Sequence, residues 1–356
     1  MQIDAPDVLV VGLGPAGSRA AATAAAAGLN VVALERRQTA GTPVQCAEFV
    51  PALIEHDIPG VRTATEQKVA RMLTFVGDQP PQVTEHFQGL MIDRARFDRM
   101  LAQEAALNGA ECRYGETVWS VDAFGTVQTS AGARLRPRVL IGADGPHSQV
   151  GAAIRRINRD LVDTRQVTVP LVLPHDATDI FLSPDYRGGY AWLFPKGAVA
   201  NIGLGVAVES RSLLKPMLAA LCDKLADERR VGTRTYALTG GAIPVGGRLR
   251  SVGRLGRTAV LLAGDAAGLT NPVTGAGIAS AVQSGTLAGR AAADFLGDCA
   301  SAIDAYEEEL ADIFDASLNR ALRRRREVLA CYADGSQPDL RALSAGWIAS
   351  PHYWAA

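Results

Sequence analysis

The sequence has 356 residues, 48% of them hydrophobic and 21% charged, with a formal net charge of −1. That length suits two domains with a sizeable core, and the balanced charge gives no electrostatic footprint for nucleic-acid binding. Five cysteines, an odd number without a CxxC pair, argue against a disulfide framework, a zinc site or an iron–sulfur cluster. Reduced thiols and a cytoplasmic setting fit best. The five histidines show no metal-ligand spacing, so no metal is assigned.

The N-terminus has no basic region ahead of an apolar stretch, which is not the pattern of a signal peptide. No uninterrupted apolar run reaches about 18 residues, so no transmembrane segment is expected. Asp7 to Val11 is a short aliphatic run predicted to be a buried parallel strand. A glycine turn follows, then a helix from about Pro15 to Ala27 that Gly28 and Asn30 end. Leu29 to Leu34 is predicted as the next strand, completing a β-α-β unit of about 30 residues. Residues 41–90 are mixed and rich in turn signals. Phe97 to Asn108 has helical periodicity, and Glu116 to Ser130 reads as a hairpin with Gly125 at its tip. Arg138 to Ala143 is a further buried strand. Residues 165–210 alternate apolar and small residues between Gly and Pro breaks, as antiparallel sheet does. Leu213 to Glu228 reads as a helix and Thr258 to Ala263 as a strand. Gly277 to Leu296 and Ser301 to Tyr332 close the chain as helices.

The first motif is Gly12-Leu13-Gly14-Pro15-Ala16-Gly17. Its first glycine permits a tight turn, its second lets the backbone approach a pyrophosphate, and its third lets the helix pack close to the strand. The helix start offers free N–H groups and the positive end of its dipole to phosphates. Glu35 stands at the end of the second strand, 18 residues after Gly17, where a carboxylate accepts hydrogen bonds from ribose hydroxyls. Arg36, beside it, is grouped with the same site. These residues define a dinucleotide site without choosing between NAD and FAD.

Two later segments make that choice: Leu140-Ile141-Gly142-Ala143-Asp144-Gly145 and Leu261-Leu262-Ala263-Gly264-Asp265-Ala266. With the glycine turn, they resemble the FAD-dependent oxidoreductases that include the aromatic-ring hydroxylases, almost end to end. The resemblance implies that Asp144 lies near the cofactor and that Asp265 hydrogen-bonds a ribityl hydroxyl of FAD. It also implies that Pro272, Gly275, Ala276 and Gly277 pass along the isoalloxazine ring, and that Arg94 sits near the cofactor. Gly189 to Pro195, with Tyr190, Trp192 and Phe194, and then Asn201-Ile202-Gly203-Leu204-Gly205 narrow the match. They resemble the YxWxFP and NxGxG signatures of the geranylgeranyl reductase family. By period two the three aromatics share one strand face, either as a wall for an apolar substrate or as core. Pro43-Val44-Gln45-Cys46-Ala47-Glu48 is similar to the cysteine-bearing loop that this family sets beside the flavin, which makes Cys46 the candidate catalytic residue. The sequence ends soon after its last helix, earlier than many members of that family.

The expected fold class is α/β. A discontinuous Rossmann-type FAD-binding domain of the hydroxylase-like kind spans 1–65, 91–160 and 250–335. A mostly antiparallel substrate domain spans 66–90 and 161–249, followed by C-terminal helices and a tail at 336–356. The implied activity is reduction of carbon–carbon double bonds in an isoprenoid-like or other apolar substrate by hydride from reduced FAD. A second reading is an FAD-dependent monooxygenase that hydroxylates an aromatic substrate through a C4a-hydroperoxide. Halogenation is a third. A fourth is a flavin-binding maturation factor, which keeps a protein substrate open. With one dinucleotide fingerprint, the reductant is NAD(P)H bound transiently or a protein donor. The run Arg323 to Arg326 reads as solvated or paired with acids such as Glu307 to Glu309, with peripheral contact to membrane head groups as the other option.

Overall fold

Short runs of buried aliphatic residues build the centre of the first sheet. In the computed structural model, which describes residues 3–355, Val8–Val11, Val31–Glu35, Val139–Gly142 and Thr258–Leu262 are buried along their whole length. That is the signature of parallel strands covered on both faces. The spatial order is Val252–Leu255, Thr258–Leu262, Val139–Gly142, Val8–Val11, Val31–Glu35 and Glu111–Tyr114. All neighbours are parallel except the outer pair Val252–Leu255 and Thr258–Leu262. The chain therefore leaves four adjacent strands at one edge. It does so through Gly12, Arg36, Ala143 and Ala263, so the motif residues of four distant segments meet there.

The helix Pro15–Ala26 lies on this sheet and packs on the long helix Ile278–Leu296. Their approach is backbone-close. A Cβ on Gly285 would run into the carbonyl of Ala16, and one on Gly289 into that of Ala20. The two helices thereby start beside each other at the same sheet edge.

The second sheet has seven strands. Their order is Ala237–Pro244, Leu161–Pro170, Val199–Ala207, Ala191–Lys196, Ala177–Leu182, Arg71–Val76 and Gln82–Thr84. It is antiparallel except where Ala177–Leu182 runs parallel to Arg71–Val76. Helix Leu214–Asp227 covers one face with Leu214, Leu218, Leu221 and Leu225. Residues 66–90 do not act as one block. Arg71–Val76 and Gln82–Thr84 join the large sheet, whereas Thr65–Val69 and Gly89–Ile92 pair with Phe49–Pro51 in a separate three-stranded sheet. The tail forms the helices Leu340–Ala345 and Pro351–Trp354. No helix among the described residues is long and apolar enough to cross a membrane.

Candidate active site

At the nucleotide end the glycine turn is built against the neighbouring strand. Gly12 has a φ of 95° and its amide donates to Leu34 O at 2.8 Å. A Cβ there would strike the Ala143 carbonyl, and one on Gly17 would strike Gly12 O. Gly14 differs, because a Cβ on it finds no atom within 4 Å and would project into open space. Pro15 brings no N–H to the first turn, and the amides of Ala16 and Gly17 have no acceptor among the described residues. Glu35 is buried. Its Oε2 accepts from Leu13 N at 2.9 Å and its Oε1 from Arg37 N at 3.0 Å. It thus braces the glycine turn while each oxygen keeps a further lone pair. Arg36 is exposed. Its neighbour Arg37 folds inward instead, donating to Pro43 O at 2.8 Å and to Gln45 Oε1 at 2.5 Å.

Asp144 caps the short helix Gln149–Ala153. It accepts from Ser148 Oγ at 2.5 Å and from Gln149 N at 2.7 Å. Its side chain is committed to that helix, so what Asp144 gives the groove is backbone beside Gly12. Asp265 is different. Its Oδ1 accepts from Thr270 Oγ1 at 3.1 Å, and Oδ2 has no donor among the described residues. Burial pushes its pKa up, against the pull of Thr270 and Arg94. A half-buried carboxylate with one free oxygen at a strand end is the acceptor that a polyhydroxylated tether needs. With the open space at Gly14 and the unpaired helix amides, it fits FAD.

The loop 271–277 is held by Asn271. Its Oδ1 accepts from Val273 N at 2.9 Å and Thr274 N at 3.0 Å, and its carbonyl accepts from Gly275 N at 2.9 Å. Gly277 then caps the long helix and sits against Thr270 and Asp265. Tyr190, from the second sheet, donates its hydroxyl to Thr274 O at 2.6 Å. Burial pushes its phenol pKa well up.

Cys46 and Arg94 lie beside each other. Arg94 opens helix Arg94–Leu107 and donates to Asp98 Oδ1 at 2.6 Å. Burial opposes its charge, but the Asp98 carboxylate beside it pulls the other way, and its pKa is raised. Burial pushes the Cys46 thiol up, with Arg94 pulling the other way. At neutral pH the thiol is therefore the protonated acid rather than a thiolate. Cys46 Sγ accepts from Glu48 N at 3.1 Å, and its carbonyl accepts from Gln166 Nε2 at 3.0 Å. Gln166 Oε1 in turn accepts from Trp192 Nε1 at 2.9 Å. Glu48 is buried and receives Lys196 Nζ at 2.8 Å on both oxygens. It also takes Asn201 Nδ2 and Arg94 N, each at 2.9 Å.

Tyr190, Trp192 and Phe194 do share one face. Successive ring centroids are 5.7 and 6.1 Å apart. Phe49 continues the row 5.9 Å from Phe194, and Trp347 from the tail closes its other end 4.9 Å from Tyr190. Trp192 and Phe194 are buried within this cluster. The face is therefore core at Trp192 and Phe194, and a cavity of about 60 Å³ lies beside Tyr190 and Trp347. A larger open hollow of about 720 Å³, lined by Leu53, His56 and His86 among others, contains none of the motif side chains. Glu48, Gln166 and Lys196 are the site residues that motif reading passed over. Lys196 carries the one usable signal, as one of four lysines in the chain and the residue directly after the aromatic motif.

The four-arginine run is neither solvated throughout nor paired with Glu307. Arg324 donates to Ala355 O at 2.7 Å and to Tyr353 O at 3.3 Å, clasping the tail, while Arg325 turns toward Gly188 O. Glu307 pairs with Arg248 at 2.6 Å.

The sheet order, the glycine turn and the Asp265 loop define an FAD-dependent oxidoreductase. Residues 164–240 match the geranylgeranyl reductase catalytic domain family, and residues 7–169 match the lycopene cyclase protein family. The digeranylgeranylglycerophospholipid reductase of Methanocella arvoryzae is 33% identical over 339 residues, covering 88% of this chain and 85% of that protein. A crystal structure of a geranylgeranyl bacteriochlorophyll reductase-like protein from Thermoplasma acidophilum superposes with a TM-score of 0.82 at 26% identity, over 92% of this chain and 88% of that one. PqsL of Pseudomonas aeruginosa, described as a probable FAD-dependent monooxygenase, superposes with a TM-score of 0.72 over 96% and 99% of the two chains, but at 18% identity it shares the fold alone. The chain belongs to the geranylgeranyl reductase family.

Proposed function

We propose that this protein reduces carbon–carbon double bonds of an isoprenoid-type lipid, with Cys46 as the acid that completes the reaction. The observation that carries this reading is the half-buried Cys46 thiol, held by Glu48 N and tied through Gln166 to Trp192, with burial pushing its pKa up. FAD, when bound, supplies a hydride to one carbon of the alkene. The glycine turn with Glu35 would hold its adenosine and pyrophosphate, Asp265 its ribityl chain, and Pro272 to Gly277 its ring. In this reading residues of the first sheet make the cofactor domain, and the seven-stranded sheet makes the substrate domain.

Alkene reduction needs a proton at the carbon next to the one that takes hydride, and a positioned acid contributes about 10²- to 10⁴-fold. Cys46 is neutral, within a built network, and next to the apolar face where an alkene chain would lie. Arg94 stabilises the thiolate left after proton transfer, because opposite charge close by favours the ionised form. Tyr190, Trp192 and Phe194 exclude water and give the chain an apolar surface. The reductant is NAD(P)H or a protein donor. The five free cysteines suit a reducing cytoplasmic setting in which the enzyme meets its lipid at the membrane periphery.

The test is single-turnover reoxidation of anaerobically reduced protein with a panel of polyprenyl lipids and aromatic acids. Reoxidation that depends on the polyprenyl substrate and not on O2 is expected. Substrate-dependent reoxidation only when O2 is admitted would overturn the reading in favour of oxygenation.

A further inference from the structure

The aromatic face of the seven-stranded sheet is covered by the tail. Trp347 packs edge-on against Tyr190 at 4.9 Å, and Leu343 and Trp347 close one apolar cluster with Ile180, Leu182, Trp192 and Phe194. Leu340 sits over Gly77, at the end of strand Arg71–Val76. With the tail in this position the enclosure beside Tyr190 and Trp347 is about 60 Å³, against about 300–1,000 Å³ for a site that holds a small molecule. An isoprenoid chain and the tail therefore compete for this face. The packing between face and cover is also poorly satisfied. Ile180 pairs with Trp192 on one side and Thr74 on the other, so by period two Thr74 and Thr178 share its face. Both hydroxyls are buried without a hydrogen-bond partner among the described residues, and so is the indole N–H of Trp347. Buried polar groups ordinarily find partners, and each that does not weakens the closed packing. The tail is fastened chiefly at its ends. Exposed Ser336 and Gln337 join it to helix Ala302–Ala330. The arginine run of that helix holds the other end: Arg324 donates to Tyr353 O at 3.3 Å and Ala355 O at 2.7 Å, and Arg320 lies over the Trp354 ring at 5.3 Å. Between those points the tail's one hydrogen bond to the sheet, among the described residues, runs from Gln82 Nε2 to Ala349 O at 3.5 Å.

We infer that residues 339–355 are a lid on the chain-binding face, latched by Arg324 and displaced when an isoprenoid chain binds. The chain takes over the apolar contacts of Leu340, Leu343 and Trp347, so opening exchanges one apolar cover for another. A segment tied to the body by few hydrogen bonds opens locally, without unfolding the rest. The arginine run thereby has a use in this chain, which is to set how often the tail lifts. The identity of the chain rests on the proposed reductase activity, whereas the latch and the covered face stand on geometry.

The experiment uses the FAD-loaded, oxidised protein, in which no hydride is available, with a polyprenyl alcohol as the chain. Hydrogen exchange is read at the amides of 342–353 and in the rest of the protein, and the half-saturating alcohol concentration is read from the flavin spectrum. In wild type the tail amides should exchange by local opening, and saturating alcohol should speed them while leaving the first sheet unchanged. Arg324→Met removes the latch, and its partner Glu327 is 48% exposed, so no charge is left buried. It should speed tail exchange by about 10- to 100-fold, the worth of a hydrogen-bonded charge. It should lower the half-saturating concentration by a matching factor, because a ligand that binds only the open state has its affinity scaled by the open fraction. Trp354→Ala loosens the same end at a residue that is 59% exposed. It should move both readings by about 2- to 5-fold, the scale of an exposed cation–π contact, so it reads the lid should Arg324→Met fail to fold. Exchange and affinity that move together, with no polyprenyl lipid turned over by the reduced protein, leave the lid standing and sink the reductase reading. Turnover with a tail that answers neither to the alcohol nor to the variants does the reverse. Tail amides that exchange only with global unfolding at saturating alcohol overturn the inference. So does faster exchange in Arg324→Met with unchanged or weaker affinity, and so does an absence of alcohol binding in wild type and both variants.

Discussion

Glu48 adopts a φ of 70°, a left-handed conformation that costs a non-glycine residue roughly 1–3 kcal/mol. The conformation persists because its carboxylate is over-determined, with Lys196, Asn201 and the Arg94 amide all donating to it. Removing one partner of a buried pair leaves the other charge uncompensated, which costs about 3–5 kcal/mol. Glu48→Ala should therefore lower the denaturant midpoint by that equivalent, and adding Lys196→Met should recover most of it. A loss below about 1 kcal/mol, the scale of an exposed pair, would show that the network does not hold the loop. The sequence singles out Cys46 because its surroundings resemble a family loop. Glu48, two residues on, stands in the same quoted motif, yet its partners lie 148 and 153 positions away. No local spacing encodes a contact between a loop of one sheet and strands of another. Arg36 and Arg37 illustrate the same limit, since which of two adjacent arginines turns inward depends on Pro43 and Gln45 across the loop.

Elements were more legible than contacts. Each predicted strand of the first sheet lies within two residues of the observed one, as do the helices Pro15–Ala26, Leu214–Asp227, Ile278–Leu296 and Ala302–Ala330. Continuous aliphatic runs and long amphipathic periods carry strong signals. The stretch 41–90 resisted because its strands are short and divided between two sheets, so their pattern follows tertiary pairing. The glycine turn shows how one motif holds two physical roles. Gly17 is needed for folding, since any side chain would collide with Gly12 O. Gly14 faces open space, so no contact with neighbouring atoms requires a glycine there, and the proposed pyrophosphate site is what would. Gly14→Val should thus yield a folded, cooperatively melting protein that purifies colourless. Gly17→Val should lose the cooperative transition itself. Stoichiometric FAD in a folded Gly14→Val protein would refute the placement of the pyrophosphate.

At the scale of the whole molecule, the candidate site lies where two sheets meet. Loops leaving the first sheet supply Cys46, Asp265 and residues 271–277, helix Arg94–Leu107 supplies Arg94, and the seven-stranded sheet and the turn before its strand Ala191–Lys196 supply Gln166, Tyr190 and Trp192. Gln166 is the stitch between them, donating to Cys46 O and accepting from Trp192 Nε1. Gln166→Leu keeps the bulk but frees the Cys46 backbone and leaves the Trp192 N–H unpaired. Misplacing a reacting group by about 1 Å costs up to about 10² in rate, so Gln166→Leu should slow substrate-dependent flavin reoxidation by about 10- to 100-fold without loss of FAD. Cys46→Ala should slow it by about 10²- to 10⁴-fold. If Gln166 acts by positioning the thiol, the double variant should be no slower than Cys46→Ala alone, because the residue being positioned is gone. The pH profile supplies a second reading. Burial raises the Cys46 pKa, so the acid form persists through neutral pH and the rate should fall only as pH rises above the ordinary thiol range. Gln166→Leu should keep that falling limb, moved toward the ordinary value as water reaches the loosened thiol, and Cys46→Ala should lack it. Additive effects in the double variant, or an unchanged alkaline limb in Cys46→Ala, would remove Cys46 from the proton's path and leave the seam between the sheets a structural one.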